Sequence, residues 1–110
     1  MRFVETPVFT GVISDLLSDE EYRMLQAELI ARPDSGRAIK GSGGLRKIRW
    51  RLPGRGKSGG CRVIYYWHDA SETFYMLFAY PKNEQEDLTP KQIKILAALV
   101  REEFDEEEGL

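Results

Sequence analysis

Three basic residues in and beside a glycine-rich segment form the strongest candidate for a chemical site. Arg55 and Lys57 lie within PGRGKSGG, and Arg62 begins the next apolar run directly after two glycines. Crowded like charges cost folding energy unless an anion neutralises them, so this spacing predicts a phosphate-binding site. The alternative is a solvated surface turn. The glycines do not match the GxxxxGK[ST] pattern followed by a helix, which excludes a P-loop.

The basic character extends well beyond these three residues. Between Ser35 and Trp67 the sequence has nine basic residues and no acidic one, although the formal net charge is -2. Such a block is typical of a surface that binds a nucleic-acid backbone. The predicted RNA-binding residues outside the glycine segment are Arg46, Lys47, Arg49 and Arg51. The balancing charge is at the C-terminus, where residues 105–110 are predicted to be a flexible acidic tail.

A second polar cluster, Lys82-Asn83-Glu84, follows the last predicted strand. Lys82 is suited to stabilise negative charge on a phosphorus under attack, and Asn83 to hydrogen-bond a ribose or a base. The alternative is a polar loop before the last helix. Because His68 is the only histidine, acid–base catalysis by a histidine pair is excluded. Several strand aromatics have faces on which bases can stack, but most are expected in the core.

Other classes of protein are disfavoured by composition. Cys61 is the only cysteine, so no internal disulfide is expected, and no Cys/His spacing indicates a metal site or a cofactor. No apolar run approaches the length of a membrane span, and the N-terminus lacks the long apolar run of a signal peptide. The expectation is a single cytoplasmic domain over residues 1–110, without membrane association.

The periodicity predicts elements that position these residues. A strand is expected over Phe3 to Phe9, and a helix starts at Ser18, which forms a capping box with Glu21, and ends at Arg32-Pro33. Three strands follow, over 45–52, 61–68 and 73–80, as an antiparallel meander. Thr89-Pro90 then caps a closing helix. The predicted fold is α+β, a two-layer arrangement with a mostly antiparallel sheet, helices on one face and the basic side chains on the other.

The combination of GSGGLRKIRW, GRGKSGGCRVIYYW, FYMLFAYPKNEQEDLT and the closing helix resembles the RelE/HigB family of toxins, specifically its HigB branch. The resemblance spans nearly the whole chain. It implies a RelE-like fold and a ribosome-dependent endoribonuclease (mRNA interferase). Such an enzyme cleaves translated mRNA by attack of the 2′-hydroxyl on the adjacent phosphate, without a metal, and inhibits translation.

By position, the resemblance also implies roles for individual residues. Arg62 corresponds to the arginine that holds the scissile phosphate, and Lys57, with Arg55 beside it, is the candidate base. Neighbouring cations favour a neutral lysine because they disfavour its charged form. Lys82 or Asn83 falls where the family carries a second catalytic arginine, and of the two Lys82 is the better substitute for charge stabilisation and protonation of the leaving group. The late catalytic tyrosine of RelE falls near Leu88, so the general acid is not identified by the pattern.

The resemblance implies two kinds of partner. One is mRNA on the ribosome, and the other is a cognate antitoxin with a helix-turn-helix DNA-binding domain. Two alternatives share the fold: a ParE-like toxin that acts on DNA gyrase, and a non-catalytic member that binds only antitoxin or RNA. Lys57 and Arg62 argue against the gyrase alternative, because a gyrase inhibitor needs no catalytic cations. An alternative role for the acidic tail is to fold back and screen the basic block.

Overall fold

A computed structural model of the chain describes residues 1–51 and 60–105. The strands are β1 (Arg2–Glu5), β2 (Arg37–Ala38), β3 (Arg46–Trp50), β4 (Cys61–His68) and β5 (Thr73–Pro81). The helices are α1 (Pro7–Leu16), α2 (Asp19–Ala31) and α3 (Pro90–Val100), and a π-helical segment, Arg101–Asp105, continues α3. Of residues 105–110, which are predicted to be a flexible acidic tail, only Asp105 is among the described residues.

The five strands form one sheet in the order β1-β5-β4-β3-β2. Strands β2 to β5 pair antiparallel with their neighbours, whereas β1 pairs parallel with β5. A register shift between Ile64 and Tyr65 marks a bulge in the β4–β5 ladder. The α+β class, the mostly antiparallel sheet and the meander predicted from the sequence are confirmed.

The N-terminal region differs from the prediction. The strand expected over Phe3 to Phe9 ends at Glu5, and α1 begins at Pro7. The cause is local: the Thr6 hydroxyl accepts a hydrogen bond from the Phe9 backbone N–H at 3.0 Å, and Pro7 supplies a helical φ at the first position. The apolar run that reads as a strand therefore turns into a helix.

The two helices predicted from capping patterns begin where expected. Ser18 and Glu21 form a reciprocal capping box at the start of α2, and Thr89 and Gln92 form another at the start of α3. Each box satisfies two backbone N–H groups that a helix start otherwise leaves without partners. The second box fixes the point at which the chain leaves the loop after β5.

The helices lie on both faces of the sheet, so the prediction that they share one face is wrong. Val63 and Tyr65 of β4 point to α1 and α2 and join a core with Phe9, Leu25 and Leu29. The intervening Ile64 belongs to a second core that contains Leu96, Val100 and Phe104 of the C-terminal helix. Because successive side chains of a strand point to opposite faces, the two cores lie on opposite sides of the sheet. We call these sides the α1/α2 face and the α3 face.

The π-helical segment closes one end of the α3 face. Its Phe104 stacks on the ring of His68 with 4.4 Å between centroids and also packs against Tyr66 and Tyr75. His68 is thus a packing residue at the end of its strand. In residues 1–51 and 60–105, none of the helices combines the length and the apolar character that crossing a bilayer requires.

Candidate functional site

The centre of the candidate site is a pair of arginines on neighbouring strands. Arg49 of β3 is the direct cross-strand partner of Arg62 on β4, and Arg62 in turn faces Tyr80 on β5. Like charges placed directly opposite each other destabilise a sheet, by about 0.2–1 kcal/mol per pair. The pair therefore weakens the isolated fold, and a bound anion would offset the repulsion.

These two arginines belong to a cavity of about 430 Å³ at the ends of the central strands. The lining residues are Arg49, Trp50, Arg51, Gly60, Arg62, Lys82 and Glu86. We call this space the cationic cavity. Among the described lining residues four are cations and one is a carboxylate, so the potential they create is positive. Arg62 and Lys82 come from separate segments of the chain, but both line this cavity. The sequence predicted a role at a phosphate for each of them.

The most unusual side chain in the cavity is that of Arg62. It is only 6% exposed, and its Nε has no hydrogen-bond partner among the described residues. A buried N–H donor without a partner costs about 1–3 kcal/mol, and more for a charged group. Arg62 is thus almost fully buried at the wall of a polar cavity, and no described residue accepts a hydrogen bond from its Nε. An anion in the cavity would offset the cost of burying the Arg62 charge.

The backbone around Lys82 fixes the position of this residue beside β4. The Lys82 N–H donates to the Gly60 carbonyl at 3.1 Å, and the Glu84 N–H donates to the Pro81 carbonyl at 3.1 Å. The first bond extends the pairing of β4 with β5 by one residue at the cavity, and the second closes a turn directly after β5. Lys82 is half-buried at this point, whereas Asn83, at the tip of the turn, is exposed and does not line the cavity.

An acidic residue lies next to the cavity and was not identified from the sequence. Asp87 forms a salt bridge with Lys47 of β3. The hydrogen bond and charge of Lys47 hold the pKa of the Asp87 carboxyl below its usual value, and Arg49 and Arg62 act in the same direction. The carboxylate therefore lies within the field of three cations. Spacing in the sequence gives no sign of this contact, because the two residues are 40 positions apart.

Tyr80 is the buried cross-strand neighbour of Arg62 on β5. Burial raises the pKa of its hydroxyl, Asp87 raises it further, and Arg62 opposes both effects. The hydroxyl donates to the Glu86 carbonyl oxygen at 3.4 Å. Tyr80 therefore pairs with Arg62 across the strands and links β5 to the loop that carries Asp87.

The structure does not bring all the predicted residues together. Arg46 lies on the α1/α2 face, where one terminal nitrogen of its guanidinium donates to the Gly36 carbonyl at 2.7 Å. Lys47, Arg49 and Arg51 remain near the cavity on the strand or at its end. Arg55 and Lys57 lie outside the described residues, so their place relative to Arg62 stays a prediction. No group of His, Cys, Asp or Glu suited to a metal ion occurs in residues 1–51 and 60–105.

Comparison with known proteins identifies the class. The family model described as the RelE toxin of the RelE/RelB toxin–antitoxin system matches residues 18–108. The chain therefore belongs to the RelE toxin family. The HigB branch is not distinguished by this match.

A solved structure supports the fold assignment. The chain is similar to a double arginine-to-alanine mutant of the E. coli toxin RelE in its free state, with a TM-score of 0.59 and 16% sequence identity. The alignment covers 87% of this chain and 92% of that one. At this identity the likeness concerns the fold. Leu88, which the sequence aligned with the late tyrosine of RelE, is a buried member of the core on the α3 face.

Proposed function

We propose that this RelE-family toxin, of the HigB branch, is a ribosome-dependent endoribonuclease that cleaves translated mRNA and so inhibits translation. The observation that carries the proposal is the cationic cavity, in which Arg62, nearly buried and with an Nε that no described residue satisfies, lies together with Arg49 and Lys82. Such a set of fixed donors is suited to charge that develops on a phosphorus during substitution. A surface that served only to bind a protein partner would not need this crowding.

The proposed reaction is an internal substitution in RNA that needs no metal. The 2′-oxygen forms a bond to the adjacent phosphorus, and the bond from phosphorus to the 5′-oxygen of the next nucleotide breaks. A base removes the proton of the 2′-hydroxyl, and an acid returns a proton to the departing 5′-oxygen. The products are a 2′,3′-cyclic phosphate and a 5′-hydroxyl, so atoms and charge balance.

The residues divide these tasks as follows in the proposal. Arg62 binds the non-bridging oxygens of the scissile phosphate, and Lys82 neutralises charge and protonates the leaving oxygen. Lys57, with Arg55 beside it, remains the candidate base. Arg49, Arg51 and Lys47 bind flanking RNA, and Asn83 contacts a sugar or a base from the rim. Arg46 has the least support as an RNA contact, because its guanidinium is engaged on the other face.

The proposed partners follow from the family. The description of the matched family names a toxin–antitoxin system, and we propose that a cognate antitoxin with a helix-turn-helix domain silences this toxin. The target would be messenger RNA on ribosomes in the cytoplasm. The basic surface accounts for affinity to RNA, and it predicts that activity falls as salt rises.

The test is primer extension on a message translated by purified ribosomes. We expect cuts that require both toxin and ribosomes, with 5′-hydroxyl ends that accept phosphate from polynucleotide kinase without prior phosphatase treatment. Arg62→Ala should abolish the cuts. Arg23→Ala is the matched control, because it removes the same charge from an exposed position of α2.

Two results would contradict the proposal. Intact message together with inhibition of DNA gyrase supercoiling would support the ParE-like alternative. Intact message and active gyrase, with binding of RNA or antitoxin retained, would identify a non-catalytic member. Cuts that persist in Arg62→Ala would remove Arg62 from the mechanism.

A further inference from the structure

A second cavity adjoins the cationic cavity and extends to the edge of the sheet. It measures about 240 Å³ and is lined by Ser35, Arg37, Lys47, Ile48 and Arg49. Arg49 lines both cavities, so they are neighbours on the same surface. We call the second space the edge cavity. Three of its five lining side chains are cations.

The edge cavity repeats the main feature of the cationic cavity. Arg37 of β2 is the direct cross-strand partner of Lys47 on β3, just as Arg49 is of Arg62. The sheet therefore places two like-charged pairs side by side, and each pair lines its own cavity. In the second pair, Asp87 already neutralises Lys47 through a salt bridge. Arg37 forms no salt bridge with any described residue, so a single phosphate in the cationic cavity leaves its charge without an anion.

Geometry relates the two pairs to one ligand. Arg37 and Arg62 lie on β2 and β4 with β3 between them, so two inter-strand spacings, roughly 10 Å, separate their strands. The two arginines are also offset by two residues along β3, so the separation suits two different phosphates of one extended RNA chain better than one phosphate held by both arginines. Since β2 is the edge strand of the sheet, a chain that crosses it can continue into solvent.

We propose that the edge cavity is a second phosphate subsite for single-stranded RNA, in which Arg37 binds a phosphodiester that flanks the one in the cationic cavity. This inference rests on the proposed function, because it assumes RNA in the cationic cavity. It adds a residue, Arg37, and a direction: the RNA crosses β3 from Arg62 towards the exposed edge. A dinucleotide cannot reach both cavities, whereas a longer chain can.

The experiment measures RNA binding without cleavage or ribosomes. Fluorescence anisotropy gives the affinity of the purified toxin for a 2′-O-methyl dinucleotide and a 2′-O-methyl hexanucleotide over a range of salt concentrations. The variants are Arg37→Gln, Arg62→Gln and the charge-matched control Arg23→Gln. Arg37 and Arg23 are both exposed, so neither substitution disturbs a core. Thermal unfolding checks that each variant is folded.

For Arg37→Gln we expect weaker binding of the hexanucleotide, by roughly threefold to tenfold, and unchanged binding of the dinucleotide. The slope of log affinity against log salt for the hexanucleotide should fall by about 0.7, the value for one phosphate contact on a single strand. Arg37→Lys should restore the slope because it restores the charge.

The outcomes separate this inference from the proposed function. If Arg37→Gln changes hexanucleotide binding no more than Arg23→Gln does, while Arg62→Gln weakens both oligonucleotides, the edge subsite is wrong and the cationic cavity stands. Equal losses for the two lengths in Arg37→Gln would also overturn the edge subsite. If Arg62→Gln changes neither affinity, the cationic cavity is not an RNA site and both proposals fail.

Discussion

Tyr65 and Arg62, on opposite faces of β4, differ in how their buried polar atoms are paired. On the α1/α2 face, the Tyr65 hydroxyl accepts from the Gly36 N–H at 2.9 Å and donates to the Pro33 carbonyl at 2.7 Å. Gly36 is needed there, because a Cβ at this position would lie 2.7 Å from the Tyr65 ring. On the α3 face, three residues earlier in the same strand, Arg62 keeps its Nε without a partner among the described residues.

The difference indicates where the fold serves stability and where it serves a ligand. Satisfied polar groups under two helices fix the segment before β2 against the sheet, and their loss costs stability. Unsatisfied and like-charged groups on the other face lower the stability of the free protein. Such groups persist in functional sites because the ligand supplies the missing partner. Substitutions on the two faces should therefore affect different measurements.

The largest expected effect is on catalysis, from Arg62→Gln. Loss of a preorganised donor to a transition state costs on the order of 10²–10³ in rate, so ribosome-dependent cleavage should fall by that factor. The free energy of unfolding should stay equal or rise, because the substitution removes one of two like charges that face each other across β3 and β4. Urea denaturation and primer extension measure the two quantities.

Arg46→Gln is the matched comparison for this prediction, since it changes the same residue type on the neighbouring strand but on the other face. It should lower the free energy of unfolding by about 0.5–1.5 kcal/mol, through loss of the hydrogen bond to Gly36, and leave cleavage within a few-fold. A large loss of cleavage in Arg46→Gln, with stability unchanged, would reverse the assignment of the two faces.

The next effect is on stability, from Tyr65→Phe. The change leaves the buried Gly36 N–H and the Pro33 carbonyl without their partner, so the free energy of unfolding should fall by about 1–3 kcal/mol. The cleavage rate should be unchanged at a temperature well below the unfolding midpoint. Tyr66→Phe is the control, because it makes the same substitution on the opposite face of the same strand. Unchanged stability in Tyr65→Phe would mean that this hydroxyl contributes nothing net.

The sequence predicted most elements because their signals are local. The capping residues Ser18 and Thr89, and the apolar runs of β4 and β5, each act within a few residues. The same kind of signal was present at Thr6-Pro7, but the apolar residues around it favoured a strand, and α1 was missed. The face of the sheet on which a helix packs depends on how the chain crosses from one side of the sheet to the other, and no local sequence pattern determines this.

The candidate site was predictable only in part for the same reason. Residue type identified Arg62 and Lys82, because cations near strand ends suit a phosphate. Residue type alone grouped Arg46 with Lys47 and Arg49, although the alternation of side chains along a strand places Arg46 on the opposite face. Asp87 and Arg37 depend on the register of distant segments, so their contribution appears only in the three-dimensional structure.

The smallest expected effect is on RNA binding, from removal of the Asp87 charge on the α3 face. Its carboxylate neutralises Lys47, a cation of the edge cavity, and so competes with RNA for that charge. Asp87→Asn should strengthen hexanucleotide binding about twofold to threefold and steepen its salt dependence by up to about 0.7. Asp15→Asn, an exposed change of equal charge on α1, is the control. Weaker binding in Asp87→Asn would show that Asp87 supports the site instead of competing for it.

The pKa of Asp87 sets the pH range in which this effect should hold. Because the folded pKa lies below the usual value of about 3.9, the ion pair contributes above that value and is lost only as pH falls through the lower, folded pKa. Between about pH 5 and pH 8 the carboxylate therefore stays charged, and the ratio of affinities between Asp87→Asn and the wild type should stay constant. A ratio that approaches one within this range would mean that the competing group is not Asp87.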